Sequence, residues 1–211
     1  MTSSLHTPHQ ALLERRHLIA TGAPKYQRWY NRLRRGLLAF LPCLVSCDDS
    51  FAASYLTPVE FSLFTSMDIR DQQHACWVAK ALLNYFPAAS EVLVAAALLH
   101  DVGKADVPFW PLERILVHFL DKLYTQRPPV TPKYSGWRGA WQRKCHHELY
   151  GAQLICQRGG RSQVASIIQT THQLQPAHQP CVYQVCDLNE ASTASDTGIA
   201  AALLTCVDQW F

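Results

Sequence analysis

Apolar residues recur every three or four positions along most of this chain, and no stretch sustains the period-two alternation of a strand. That pattern predicts helices throughout. Tyr26 to Leu41 repeats Trp29, Leu33, Leu37 and Phe40 at helical spacing, and Pro42 ends it. Before it, only a short helix around Ala11 to Ile19 stands out. Cys47-Asp48-Asp49-Ser50 reads as a turn. Thr57-Pro58-Val59-Glu60 then carries every part of a helix start: a capping Thr57, Pro58 in the first turn, and Glu60 closing a capping box. Phe61, Phe64 and Met67 supply its apolar face.

Asp68 to Phe86 spaces Ile69, Ala75, Cys76, Val78, Ala79, Leu82 and Leu83 as an amphipathic helix, and Pro87 stops it. Ser90-Glu91 restarts the chain. Val92 to Leu99 is apolar on every side and predicts a buried helix, closed by His100-Asp101-Val102-Gly103-Lys104. The glycine is expected to let the backbone turn out toward solvent. Leu112 to Leu123 is amphipathic again. Tyr124 to Gly139, with three prolines and two glycines, reads as a surface loop or lid. Trp141 to Gln157 predicts a helix closed by Gly159-Gly160, and Ser162 starts another through about Gln173. Leu174 to Pro180 is read as loop and Cys181 to Cys186 as a short piece of undecided type. Thr197 to Trp210 is a last apolar helix. The fold class is all-α, with roughly seven or eight helices.

Composition narrows the picture. A length of 211 residues fits one domain with an N-terminal extension, divided here as 1–50 and 51–211. A net charge of +3 is too small to argue for nucleic acid, and the arginines lack base-reading partners. The longest apolar segment, Gly36 to Cys47, is interrupted by Pro42 and is too short to span a membrane. It follows Lys25, Arg28, Arg32, Arg34 and Arg35, so residues 25–47 offer a weak docking surface for a membrane or a protein. Eight cysteines without metal-knuckle or redox spacing, several inside apolar patterns, fit a reduced, cytoplasmic protein.

The chemistry-bearing residues sit on those helices. His74 lies in Asp71-Gln72-Gln73-His74, ahead of the His100-Asp101 pair. His147 opens His147-Glu148-Leu149-Tyr150-Gly151-Ala152, and His172 ends the apolar helix Val164 to Thr171. Asp208 interrupts the apolar pattern of the last helix, where an unpaired carboxylate is costly. Taken singly, each has a bland explanation: a solvated helix histidine, a capping residue beside an exposed His146, a solvated terminal aspartate. Imidazole and carboxylate together suit a divalent transition metal.

The order His, His-Asp, His, His, Asp resembles the HD superfamily of metal-dependent phosphohydrolases, over about Thr57 to Asp208. Asp71-Gln72-Gln73-His74, Ala96 through Lys104 and Val207-Asp208 carry the resemblance. It implies an HD-domain helical bundle in which His74, His100, Asp101 and Asp208 bind one metal. His147 and His172 fall where members with two metals add histidines. The branch with a Gly-Tyr-Pro motif also carries a tandem His pair, whereas here Gln173 follows His172 and the tripeptide is missing. Hydrolysis of cyclic di-GMP is therefore not implied.

The resemblance implies one or two Fe, Mn, Co, Ni or Zn ions per chain, and a phosphorylated small-molecule substrate, with a nucleotide expected. Two such ions can share and ionise a water and neutralise a phosphoryl oxygen. Asp101 is expected to bridge them and Lys104 to reach a substrate phosphate, so these two are the catalytic candidates. Asp71, one turn before His74, either orients that imidazole or faces water. Arg70 and His146 are further candidates for phosphate contact. The rival reading is a non-catalytic HD fold that senses a ligand or partner.

Overall fold

A computed structural model of the chain describes residues 26, 30, 45–105, 117, 136–174 and 196–208. Among these residues there are seven α-helices, one 3-10 turn and no strand. They are α1 (Asp49–Tyr55), α2 (Pro58–Thr65), α3 (Ile69–Tyr85), α4 (Glu91–Leu99), the 3-10 turn (Val102–Lys104), α5 (Gly136–Arg158), α6 (Ser162–Leu174) and α7 (Asp196–Asp208). The expected helix Ala11 to Ile19, most of Tyr26 to Leu41, all of Leu112 to Leu123 except the helical, buried Val117, and the Cys181 to Cys186 piece lie outside the described residues. Of the 25–47 segment, Tyr26 and Tyr30 are helical and exposed.

Local chemistry starts α2, α3, α4 and α6 close to where the sequence says, whereas α1 is not among the expected helices and begins inside the stretch 47–50 read as a turn. Asp48 caps α1 by accepting from the Phe51 N–H at 3.1 Å. At α2 the capping box is complete. Thr57 Oγ1 accepts from the Glu60 N–H at 3.3 Å, and Glu60 Oε2 accepts from the Thr57 N–H at 3.0 Å. Asp68 caps α3 and Ser90 caps α4. Gly159 adopts a positive φ and so provides the left-handed turn that ends α5.

The core is built around α4. Every residue from Leu93 to Leu99 is buried, most of them completely, and the helix is contacted by α1, α2, α3, α6 and α7. With no polar face to offer, α4 is stable only inside this ring, where each buried Leu or Val contributes about 1.5–3 kcal/mol. Phe64, Leu82, Ile155, Ile168 and Leu204 fill the space around it. A buried ion pair ties α2 to the start of α6: Arg161 donates to both oxygens of the fully buried Glu60, the shortest contact being 2.7 Å.

Two expectations need correction. The loop assigned to Tyr124 to Gly139 is helical from Gly136 onward. Val117 and Ala140 form a small apolar cluster with Trp141, which anchors that first turn despite its glycines. Gly103 does not turn the chain toward solvent. It is buried within the 3-10 turn, and a Cβ there would overlap the His147 carbonyl oxygen and lie 2.6 Å from the Gly151 nitrogen. The glycine is required by close backbone contact rather than by an outward turn.

Candidate metal centre

α4 delivers its polar end into the core. His100 is the C-cap in α-conformation. Asp101 follows at φ −95°, ψ 1°, in the sparsely populated bridge region. Both are buried. The His100 Nδ1–H donates to the Ala97 carbonyl at 2.8 Å. Since a carbonyl only accepts, Nδ1 carries a proton, and Nε2 is the nitrogen that faces the site and would ligate a cation in the neutral imidazole.

His74 on α3, His100 and Asp101 bring ligand atoms within 4.8 Å of one another, so these three can hold a metal ion. Asp208, at the end of α7, joins them: its Oδ1 is 2.8 Å from His74 Nε2 and 3.4 Å from His100 Nε2. His100 Nε2 is also 3.6 Å from Asp101 Oδ1. Two ligands sharing one cation through bonds of roughly 2.1 Å lie about 3.0–3.4 Å apart, close to these separations. His74 Nδ1 and His100 Nε2 are buried with no hydrogen-bond partner. An unpartnered, correctly oriented imidazole nitrogen beside two carboxylates fits a divalent transition metal.

The Gly103–Gly151 contact sets the other half of the site. It presses the 3-10 turn against α5 and brings His147 Nε2 to 3.3 Å from Asp101 Oδ1. The His147 Nδ1–H donates to the Lys144 carbonyl at 2.8 Å, which leaves Nε2 aimed inward, as at His100. α5 is kinked here, with His146 at φ −132°, ψ 15°. Successive residues of a straight helix diverge by about 100°. The kink instead directs three in a row toward one cluster. His147 Nε2 is 3.3 Å from Glu148 Oε1, Glu148 Oε2 is 3.4 Å from His172 Nδ1, and His146 Nδ1 is 3.5 Å from His172 Nε2.

His172 thus joins the group through Glu148 and His146. The expectation of an exposed His146 is wrong: only 4% of it is accessible. Sequence reasoning gives Glu148 no role. The available signal was an acidic residue directly after a candidate ligand, on a helix with small, close-packing residues. Asp71 is buried, yet it is not the acceptor for His74 Nδ1, which has none. Its field, with that of Asp101, helps to keep Lys104 charged.

Electrostatics concentrate negative charge in this pocket. Burial works against ionising Asp101, but Lys104, His100 and His147 outweigh it and hold the carboxyl well below the usual range. Asp208, whose side chain is 35% exposed, is likewise held low, its partial desolvation being outweighed by His100 and His74. Glu148 falls to about 2, because His147 and His172 more than offset its burial. Burial disfavours the His100 imidazolium, yet Asp101 and Asp208 raise its pKa to about 9. The field that holds a proton at His100 is one that also attracts a cation. Lys104 Nζ, 2.5 Å from Asp101 Oδ1 and 22% exposed, is the cationic group at the rim.

An all-α bundle with a His and a His-Asp pair converging at the end of a buried helix defines the class. The HD domain family matches residues 72–196, more than half of the 211-residue chain, and the chain belongs to that family. Its members are generally metal-dependent hydrolases. The match covers His74, His100, Asp101, His147 and His172, while Asp208 lies beyond it. No curated protein and no solved structure matches the chain. Among the described residues, no helix is long and apolar enough to cross a membrane.

Proposed function

We propose that this chain is a phosphohydrolase that cleaves a phosphomonoester or phosphodiester, with His74, His100, Asp101 and Asp208 holding one divalent cation. His147 and His172, joined by Glu148, would hold a second. The observation that carries this reading is the buried His100 Nε2, which has no hydrogen-bond partner and lies between the Asp101 and Asp208 carboxylates. When bound, such ions polarise a phosphoryl oxygen and acidify a water.

The chain's own groups do the rest. Asp101 Oδ1 lies 3.6 Å from His100 Nε2 and 3.3 Å from His147 Nε2, a position from which one carboxylate serves both halves of the site. The Ala97 and Lys144 carbonyls hold both imidazoles in the tautomer that presents Nε2. Lys104 keeps its proton and offers a point charge to a phosphate oxygen arriving at the rim. A nucleotide substrate follows from the family resemblance alone. A cytoplasmic setting suits the free cysteines Cys47, Cys76, Cys145 and Cys156.

Elemental analysis of the purified protein, combined with a panel of phosphoesters assayed with Mn, Fe, Co, Ni and Zn, tests this directly. Bound metal with hydrolysis of at least one ester is expected. A metal-free protein inert across the panel would replace the enzyme with a ligand-sensing HD fold.

A further inference from the structure

Away from the metal centre, residues 46–48 run along the outside of α3 in a fixed register. The Ser46 carbonyl accepts from Gln73 Nε2 at 2.9 Å, and Asp48 Oδ2 pairs with Lys80 Nζ at 2.6 Å. Lys80 also lies over the Phe51 ring, 5.0 Å from its centroid. Between these two clamps the Cys47 and Cys76 sulfurs face each other at 3.6 Å, and the Cys76 thiol points to the Asp48 carbonyl at 3.9 Å. Both cysteines are free, Cys76 being buried and Cys47 partly accessible. Positions 73, 76 and 80 share one face of α3. Cys76 is roughly 200° around the helix from His74, and so on the side away from the candidate metal centre.

We propose that Cys47 and Cys76 form a reversible disulfide, with a low-molecular-weight disulfide such as oxidised glutathione as oxidant. The sulfurs are in contact. Closing them to the bonded length of about 2.0 Å shortens that separation by about 1.5 Å, and Cys47 lies outside any helix. Cys47, the accessible partner, attacks the incoming disulfide. Its sulfur bonds to one glutathione, and the other departs as a thiol carrying the Cys47 proton. Cys76 then attacks the Cys47 sulfur of that mixed disulfide, and the second glutathione departs as a thiol with the Cys76 proton. The protein loses two hydrogens and two electrons, and the oxidised glutathione is reduced to two thiols. The bond staples the segment entering α1 to the helix that carries His74, closing a loop between positions 29 apart in the chain.

The full-length protein would be equilibrated without oxygen in mixtures of oxidised and reduced glutathione, alkylated, and digested without reduction. We expect a peptide joining Cys47 to Cys76, cleaved by dithiothreitol, and a melting temperature several degrees above that of the reduced form. Cys47→Ser and Cys76→Ser should each remove the cross-link and the gain in melting temperature. No cross-link at any ratio would overturn the proposal. So would Cys47 joined to another cysteine such as Cys43, or both thiols trapped as glutathione adducts.

Discussion

His74 and Asp208 stand 134 positions apart in the chain, and their side chains meet at 2.8 Å. The contact is made by α3 and α7, which pack directly on each other and on α4. Helix α4 brings His100 and Asp101 to the same place. The site therefore exists only once the first and last of the described long helices have closed around the buried one.

That arrangement separates packing from ligation at Asp101. The α4 residues before it supply the apolar contacts, and Asp101 supplies one carboxylate at the helix end. Asp101→Ala should leave the helical content intact while removing most bound metal and reducing turnover by at least roughly 100-fold. Circular dichroism, elemental analysis and a phosphoester assay on the same preparation check all three. Full turnover in a metal-loaded variant would rule out the assigned role.

Gly103→Ala should be far more damaging than a surface Gly→Ala change. The added methyl meets the His147 carbonyl oxygen and the Gly151 nitrogen, and neither backbone group can rotate away. Overpacking of this kind costs about 1–3 kcal/mol, with the upper end expected against backbone. The turn would also move off α5, so bound metal should fall together with the melting temperature. A variant with wild-type stability would show that the two segments are not pressed together.

Glu60 and Arg161 give a pH dependence away from the metal. Burial pushes the Glu60 carboxyl up, but hydrogen bonds from Arg161 and the Thr57 backbone outweigh it and leave the pKa below its ordinary 4.5. A carboxylate with a depressed folded-state pKa stabilises the protein above its unfolded pKa. That stabilisation is lost as pH falls through the folded value. Glu60→Gln should therefore be clearly less stable than wild type at pH 7, with the gap narrowing below about pH 4.5. Arg161→Ala leaves Glu60 buried with only backbone donors and should cost about 2–3 kcal/mol at pH 7. Denaturant midpoints measured across the acidic range up to neutral pH check both; a constant gap between wild type and Glu60→Gln would sink the argument.

How much of this was legible depends on whether the cause was local. The Thr57–Glu60 capping box, the stop at Gly159 and the burial of Leu93 to Leu99 are written in short windows of sequence, and the structure has them. The convergence of His74, His100 and Asp101 followed from ordering ligands along predicted helices, with the family resemblance behind it. Three features escaped because their causes are tertiary. Gly103 looks like a helix stop until α5 is laid against it. His146 looks exposed until the kink turns it inward. Glu148 acquires its neighbours only when α6 returns along α5 and places His172 opposite it. That Glu60 also pairs with Arg161, 101 positions away, could not be read from the capping box.

The second metal is the riskiest of these expectations. His147 Nε2 lies against Asp101, so it is attached to the first site, whereas His172 is linked to it through Glu148 and His146. If this group holds a cation, wild type should carry close to two ions per chain, and the His147→Ala, His172→Ala double variant close to one. Glu148→Gln then decides what the carboxylate does. It keeps the shape and the hydrogen-bonding reach but removes the charge that His147 and His172 now stabilise, which sets the Glu148 pKa at about 2. With a cation among these residues, the lost charge should weaken the second ion by roughly 10–100-fold and leave the first bound. Without one, Glu148 merely pairs with the two imidazoles, and Glu148→Gln would change stability but not stoichiometry. One ion per chain in all three proteins, with equal rates, would reduce His147 and His172 to bystanders.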